Sequence, residues 1–596
     1  MNKKKFILML FTSIIMTCLL FISNSPNIYG MNNLIHSNRW YWIIILIIFY
    51  KVTESITKIK NKRLLILSLI IGSILSTLDV IGYYFTNYVL LNIPLNITRI
   101  IFILSRFIVN TYIFTTVISN LYMMIENYNI KEDKGSKINS LFKYSKKNFL
   151  IITVIIFLAY VPWLLHYFPG ICSPDSTTQM LQITSEKFQL TNHHPILHTA
   201  VISICLSIGN LIFNSNNAGI AIYSILQMLA CALTFSTTIF YLEKKKVPVF
   251  IRQMLMLFFM FCPIIASYSI TMWKDIPFAL SILISTLLLI ETVTNSKEFF
   301  NKKKNIFLLI LFLLLSCLFR KNGLYCVIFS GIISIIVIPK DYKKKLALAF
   351  LIPIIIAFMI NGPLLNVLNI KQGDSKEALS VPMQQFARVR KYHSDDLTKK
   401  EKEELDKFFI NKTYVNLYDP VFADPVKRVF SEEYIKDNKG TMVKVYLKYA
   451  FKYPTTTIKA FIAGSYGYYY SDLVGWEVFN KIYEEKNTKE LNIKQTPIYE
   501  SLIIEGLERF LNSHNLPILS MFNSCGFYFW ILIIIIGFYV YQKKYMIISS
   551  LLLTIGVWGT ALLSPVFCEK RYVYSLFVVV PTFMAILFSK EKLKRW

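Results

Sequence analysis

Residues 195–213 read PILHTAVISICLSIGNLIF. A stretch this long and apolar can cross a bilayer core of about 30 Å. If it crosses, Glu243-Lys244-Lys245-Lys246, Lys302-Lys303-Lys304 and Lys343-Lys344-Lys345 all fall outside the cell. That opposes the bias of Lys and Arg toward cytoplasmic loops. If the stretch lies flat or re-enters from outside, every later lysine cluster falls inside. The second reading is adopted, and the sidedness of the rest of the chain follows from it.

Upstream, the apolar runs at about 6–23, 40–52, 64–86, 98–122 and 148–166 are separated by lysine-rich connections. Downstream lie runs at about 218–241, 248–268, 275–293, 305–319, 322–338, 345–362, 527–541, 545–564 and 571–588. The expectation is an α-helical polytopic membrane protein of about 14 spans, with both termini cytoplasmic. Residues 1–147 would form N-terminal spans, 148–362 a transmembrane core, and 527–596 C-terminal spans. Residues 363–526 regain charge and would form an extracytoplasmic α or α+β domain.

Composition supports this class. The 596 residues are 55% hydrophobic, with a mean hydropathy of +0.49. Continuous rather than alternating apolarity excludes a strand barrel. The net charge of +29 sits mostly in short lysine clusters between runs, so it reads as a topology signal and not as nucleic-acid binding. The nine cysteines lie mostly in apolar runs without a CxxC pair, as small core residues do. The first run, after Lys3-Lys4-Lys5, reads as a retained span rather than a cleaved signal.

Polar chemistry concentrates just ahead of residue 195. His166, His193, His194 and His198 are four of the seven histidines. Asp175, between Pro174 and Ser176, is the candidate catalytic residue: a carboxylate on a bent, rigid approach can act as a general base. Ser173 or Ser176 could cap a helix over 177–184. His194 and His198, four apart, would share a helix face and could ligate a metal, but no HExxH pattern accompanies them. Hydrogen bonding to substrate suits His193 and His194 better.

Counting spans places Lys274, Asp275, Arg320, Lys321, Lys570 and Arg571 in external connections, where few cations are expected. Each cation alone could be a snorkelling anchor. As a set they suit an anionic group, lipid phosphate above all. Lys274, Asp275, Arg320, Lys321, Arg571 and Tyr572 are therefore candidate substrate-binding residues. Within the early spans, Asp79 and Arg106 are expected to pair structurally.

Taken together, Pro169-Gly170 to Asp175, His194-Pro195 with the flat 195–213 stretch, Lys274-Asp275 and Arg571-Tyr572 resemble the GT-C superfamily of membrane glycosyltransferases. The SPDS, NHHP, WKD and RKNG motifs and Gln384-Gln385-Phe386-Ala387-Arg388 look more closely like an uncharacterised bacterial membrane family with a GT-C-like core. The resemblance covers about 148–362 and 527–588. It implies a GT-C-like core with external catalytic loop 166–217. It also implies a polyprenyl-phosphate sugar donor and a cell-envelope glycan, lipid or protein acceptor, met at the outer face of the cell membrane. Lys274, Arg320 and Arg571 would steady the departing phosphate. Tyr468 or Trp476 could stack on sugar. Many loops of that superfamily carry two adjacent acids; here Ser176 follows Asp175, which leaves a divalent cation an open requirement. The rival expectations are a transporter or flippase of lipid-linked envelope precursors, and an assembly partner without chemistry.

Overall fold

A computed structural model describes residues 3–23, 41–128, 137–373, 376, 379–476, 478–484, 486–512, 516, 519–564 and 566–589. The C-terminal Lys590-to-Arg595 cluster expected to lie inside falls outside them. Eight helices among the described residues are long and apolar enough to cross a membrane, or nine if a pair bent by 56° at Cys262 counts as one span. Leu69, Ile97, Leu150, Leu158 and Leu211 point outward from such helices, as lipid-facing side chains do.

The fourteen expected runs are mostly helical, but several form helices shorter or more charged than those eight. Tyr41–Lys58 contains Lys51, Glu54 and Lys58. Lys303–Phe319, Lys321–Val337 and Cys525–Tyr541 each have 17 residues, and Tyr574–Ile586 has 13. Ile196–Phe213, 18 residues, passes the length and apolarity test for crossing.

The chain forms two compact units. The first comprises residues 1–130, 466–473 and 524–544. Asn61 and Asn96 cap Lys62–Tyr84 and Ile97–Glu126 by accepting from the backbone N–H groups of Leu64 and Arg99, which satisfies otherwise orphaned donors. These two helices carry the expected ion pair. Arg106 Nε and Nη2 donate to Asp79 Oδ2 and Oδ1 at 2.5 and 3.0 Å, and Asn110 Nδ2 adds a third bond at 2.7 Å. Gly537 lets the Cys525–Tyr541 backbone approach Ile71, whose Cδ1 would lie 2.1 Å from an added Cβ.

The second unit comprises residues 131–465, 474–523 and 545–596. Asp275–Thr294 is its axis, buried along nearly its whole length. Ile196–Phe213 and Asn216–Lys244 form a hairpin turned by Asn214 in the left-handed region (φ 48°). The two helices meet at Gly209 and Gly219: a Cβ on Gly209 would lie 2.2 Å from the Gly219 nitrogen.

Helices Ser380–Tyr392, Lys399–Asp406 and Lys439–Lys452 enclose a separate apolar core around Met383, Phe386, Phe408, Tyr414 and Tyr449. Among the described residues of 363–526 the only strand is Lys371–Gln372, paired in parallel with Thr191–Asn192. This region is therefore α rather than α+β. Arg388 is buried in it, donating to Tyr418 OH at 2.9 Å.

The Asp79–Arg106 pair yields a test. Arg106→Leu alone strands a buried carboxylate and should destabilise the protein by about 3–5 kcal/mol, whereas Asp79→Leu with Arg106→Met should recover most of that loss. Unfolding in detergent micelles measures both.

Candidate functional site

The site is built where Lys146–His166 ends. Its backbone turns through Tyr167, a cis Phe168–Pro169 bond and Gly170. Gly170 has φ +144°, and a Cβ there would lie 2.2 Å from Ser224 Oγ; only glycine suits this position. The next residues are joined to the turn that carries Lys274. Ile171 N donates to Ile270 O at 3.1 Å and Met272 N to Ile171 O at 2.9 Å. Ser176 Oγ donates to Met272 O, and Trp273 Nε1 to Ser173 Oγ, both at 2.5 Å.

Ser173 is the N-cap of Pro174–Thr184 and forms a capping box with Ser176. The helix thus begins at Pro174, three residues earlier than expected, because proline at the first position lacks only an N–H that would be orphaned anyway. Asp175 stands in the first turn but does not cap the helix. Its Oδ2 accepts from Lys274 Nζ at 2.9 Å and from Arg571 Nη1 at 2.9 Å. Lys274 Nζ also donates to His194 Nδ1 at 2.9 Å, so the imidazole is neutral with its proton on Nε2.

Burial pushes the Asp175 carboxyl up, but Lys274 and Arg571 outweigh it and hold the group well below the usual carboxylate range. Burial, then the Lys274 ammonium, presses His194 down to about 2. Two cations against one carboxylate leave one positive charge in excess. Behind Arg571, Glu569 lies with Oε1 3.9 Å from Nε; burial raises its carboxyl despite Arg571 and Lys570. The guanidinium of Arg571 stacks between Trp273 and Tyr572, 4.9 and 5.1 Å from the ring centroids.

The expected binding residues fall into three groups. Lys274, Arg571 and His194 surround Asp175. Arg320 departs from the expectation of a cation held ready for phosphate: its Nη1 lies 2.7 Å from Oδ1 of fully buried Asp275. Its guanidinium sits 4.8 Å from the Tyr572 ring. Arg320 thus pairs with a buried acid beside the cluster, and the Tyr572 ring lies against both the Arg320 and the Arg571 guanidinium. His193 and Lys321 meet near Gly373: a Cβ there would lie 2.8 Å from His193 Cα and 3.1 Å from Lys321 Nζ.

The shared-face metal reading of His194 and His198 is corrected. The helix starts at Ile196, so His194 precedes it. His198 instead contacts Gln179 Oε1 at 3.0 Å and Tyr223 OH at 2.8 Å. Tyr223 continues to Gln227, whose Nε2 donates to the carbonyls of Tyr268, Ser269 and Thr271. This buried chain braces the Asp175 helix against the approach to Lys274. A divalent cation does not fit at Asp175, where Oδ2 already faces two positive charges and His194 Nδ1 accepts from Lys274. Among the described residues no group of three or more His, Cys, Asp or Glu could hold a metal ion.

Of the aromatic candidates for sugar, Tyr468 is fully buried and presents no face, whereas Trp476 is 41% exposed. Lys570 is buried and donates to Trp476 O at 2.7 Å. Gln227 and Glu569 carry no expectation from the sequence, and Trp273 and Gly170 enter it only through the WKD motif and the Pro169-Gly170 pair. Trp273 and Glu569 stand beside assigned cations, and that adjacency was the available signal. Residues 482–501 also support the turn: Tyr483 N donates to Cys172 O, Thr496 N to Phe168 O and Ser501 N to His166 Nδ1.

Outward-facing apolar helices, with a paired polar cluster at the ends of several of them, define a helical membrane protein. Within that class, the chain belongs to a family of unknown function (DUF6020), matched over residues 183–596. The match includes every candidate binding residue and begins just after Asp175. No curated protein and no solved structure matches the chain.

His194 gives the site a pH signature. Its proton affinity is lower in the folded chain than the ordinary value near 6.5, so the unfolded chain binds the extra proton. Stability should fall as pH drops below about 6.5, by up to about 1.4 kcal/mol per pH unit for this group. His194→Gln should flatten that slope in unfolding curves taken between pH 7 and 5.

Proposed function

We propose that this protein is a membrane glycosyltransferase that moves a sugar from a polyprenyl-phosphate donor to a cell-envelope acceptor. The observation that carries the reading is the convergence of Lys274 and Arg571 on one oxygen of Asp175. A catalytic acid and two phosphate-type cations are what such a transfer requires at one point. The resemblance of the 166–176 loop and the Lys274 and Arg571 turns to GT-C enzymes adds to it. In this proposal the chain crosses the membrane about fourteen times, both termini are cytoplasmic, Ile196–Phe213 lies along the outer surface, and the site faces outward.

The ion cluster suggests an order of events. Without donor, Asp175 occupies the place of an anionic oxygen on Lys274 and Arg571. The donor's phosphodiester carries one negative charge, which matches the one positive charge in excess. When it takes the two cations, Asp175 loses the charges that depress its proton affinity and becomes a stronger base. The acceptor oxygen then attacks C1 of the sugar as its proton passes to Asp175. The bond from C1 to the phosphate oxygen breaks, and its electrons leave with the phosphate. Lys274 and Arg571 stabilise the charge that builds there. A single displacement inverts C1. The transporter reading needs free ionisable groups along a path, and Asp79 and Arg106 instead satisfy each other.

Two experiments test the proposal. A deletion strain carrying the wild-type gene should regain a hexose-type envelope modification, read by mass spectrometry; Asp175→Asn at equal expression should not restore it. Full restoration by Asp175→Asn overturns the catalytic role. In purified protein, Asp175→Asn should bind dimethyl phosphate about tenfold more tightly than wild type, because the internal competitor is gone. Lys274→Ala with Arg571→Ala should lose that binding.

A further inference from the structure

Asn216–Lys244 and Asp275–Thr294 reach the polar cluster at one end. At their other end they border a cleft of about 380 Å³, with Lys303–Phe319 on the far side and Phe149 at the edge. A second cavity of about 650 Å³ shares Phe149, Thr237, Tyr241 and Lys244 with it, so the two form one groove.

The groove has the dimensions and polarity of a lipid site. Its deep end is apolar, lined by Leu233, Ile284, Leu287 and Phe312. Leu233 is 41% exposed, so the groove opens onto the outer apolar surface. From Leu233 to Lys244 the helix rises about 16 Å at 1.5 Å per residue. One leaflet of a bilayer core is about 15 Å deep. Near the mouth, Lys244 and the buried Lys245 behind it share Glu291 at 2.9 and 2.6 Å, and with Lys146, Lys147 and Lys246 five lysines stand against Glu291 and Glu243. The Lys244 side chain is 56% exposed. Glu243, also at the mouth, accepts from Tyr144 N at 2.8 Å. Lys146 and Lys147 open the helix that supplies Phe149, and Lys246 follows Lys245. Tyr241 has the amphipathic ring favoured at headgroup level.

We propose that this groove holds an acyl chain of one anionic phospholipid, with the lipid phosphate against Lys244. The site is independent of the transferase reading. Its apolar depth takes the chain, and the excess charge at the mouth selects an anionic over a zwitterionic headgroup, as basic pockets between membrane helices do.

Native mass spectrometry of the delipidated full-length chain, titrated with phosphatidylglycerol or phosphatidylcholine of identical acyl chains, tests this. The wild type should retain one phosphatidylglycerol about fivefold more tightly than phosphatidylcholine. Lys244→Gln should abolish the preference, Lys244→Arg should keep it, and Leu233→Trp, which fills the groove, should abolish retention of either lipid. Equal retention of both lipids by the wild type, a preference that survives Lys244→Gln, its loss in Lys244→Arg, or retention by Leu233→Trp each overturns the proposal.

Discussion

Everything at the candidate site depends on two cations meeting at one oxygen of a partly buried carboxylate. Asp175 stands half-buried at the start of a helix, and burial by itself raises its proton affinity. Lys274 and Arg571 reverse that outcome because both reach the same oxygen. Each cation is in turn confined: Lys274 by His194, and Arg571 by the rings of Trp273 and Tyr572. Removing Asp175 would leave two cations facing each other without a counter-ion, which is expensive. The surrounding backbone is correspondingly rigid. A glycine that tolerates no side chain, a capping box and a buried His198–Tyr223–Gln227 chain all hold the two turns in register.

The same arrangement gives Asp175 two characters. With both cations on it, the carboxylate is a weak base and an internal counter-ion. With the cations engaged elsewhere, it is a stronger base. Preorganised charges of this kind contribute to catalysis without costly reorganisation at the moment of reaction. Glu569 supplies a contrast, since it shares Arg571 at a longer distance and burial prevails there. Two carboxyls joined through one guanidinium are thus pushed in opposite directions by geometry alone.

Much of this was legible in the sequence. Apolar runs announced the helices, Asp175 stood out as a carboxylate in a polar loop, and Lys274 and Arg571 stood out as cations in external connections, where few are expected. The pairing of Asp79 with Arg106 followed from the cost of leaving either alone in an apolar segment. What the residue order could not convey was partner choice over long separations. Arg320 looked equivalent to Lys274, yet it is engaged by Asp275, a residue next to Lys274 in the chain. His194 and His198 had helical spacing, but Pro195 delays the helix to Ile196. Tyr468 had the composition of a sugar platform, and packing buries it. The support given by residues 482–501 combines backbone donors with the Gln495 side chain, which donates to Tyr167 O at 2.7 Å, and its spacing matches no recognisable motif.

The distance along the chain between Asp175 and Arg571 has a consequence for biosynthesis. The two residues are 396 positions apart. At ribosomal rates of about 5–20 residues per second, about 20–80 s separate their synthesis. During that interval the aspartate has at most one of its two cations, and the ring stack of Trp273 has nothing to hold. A nascent chain therefore carries an immature, partly neutralised pocket until the last helices emerge. Chains that terminate before Arg571 leave that pocket incomplete, a local defect by which quality-control proteases could distinguish them from the finished protein.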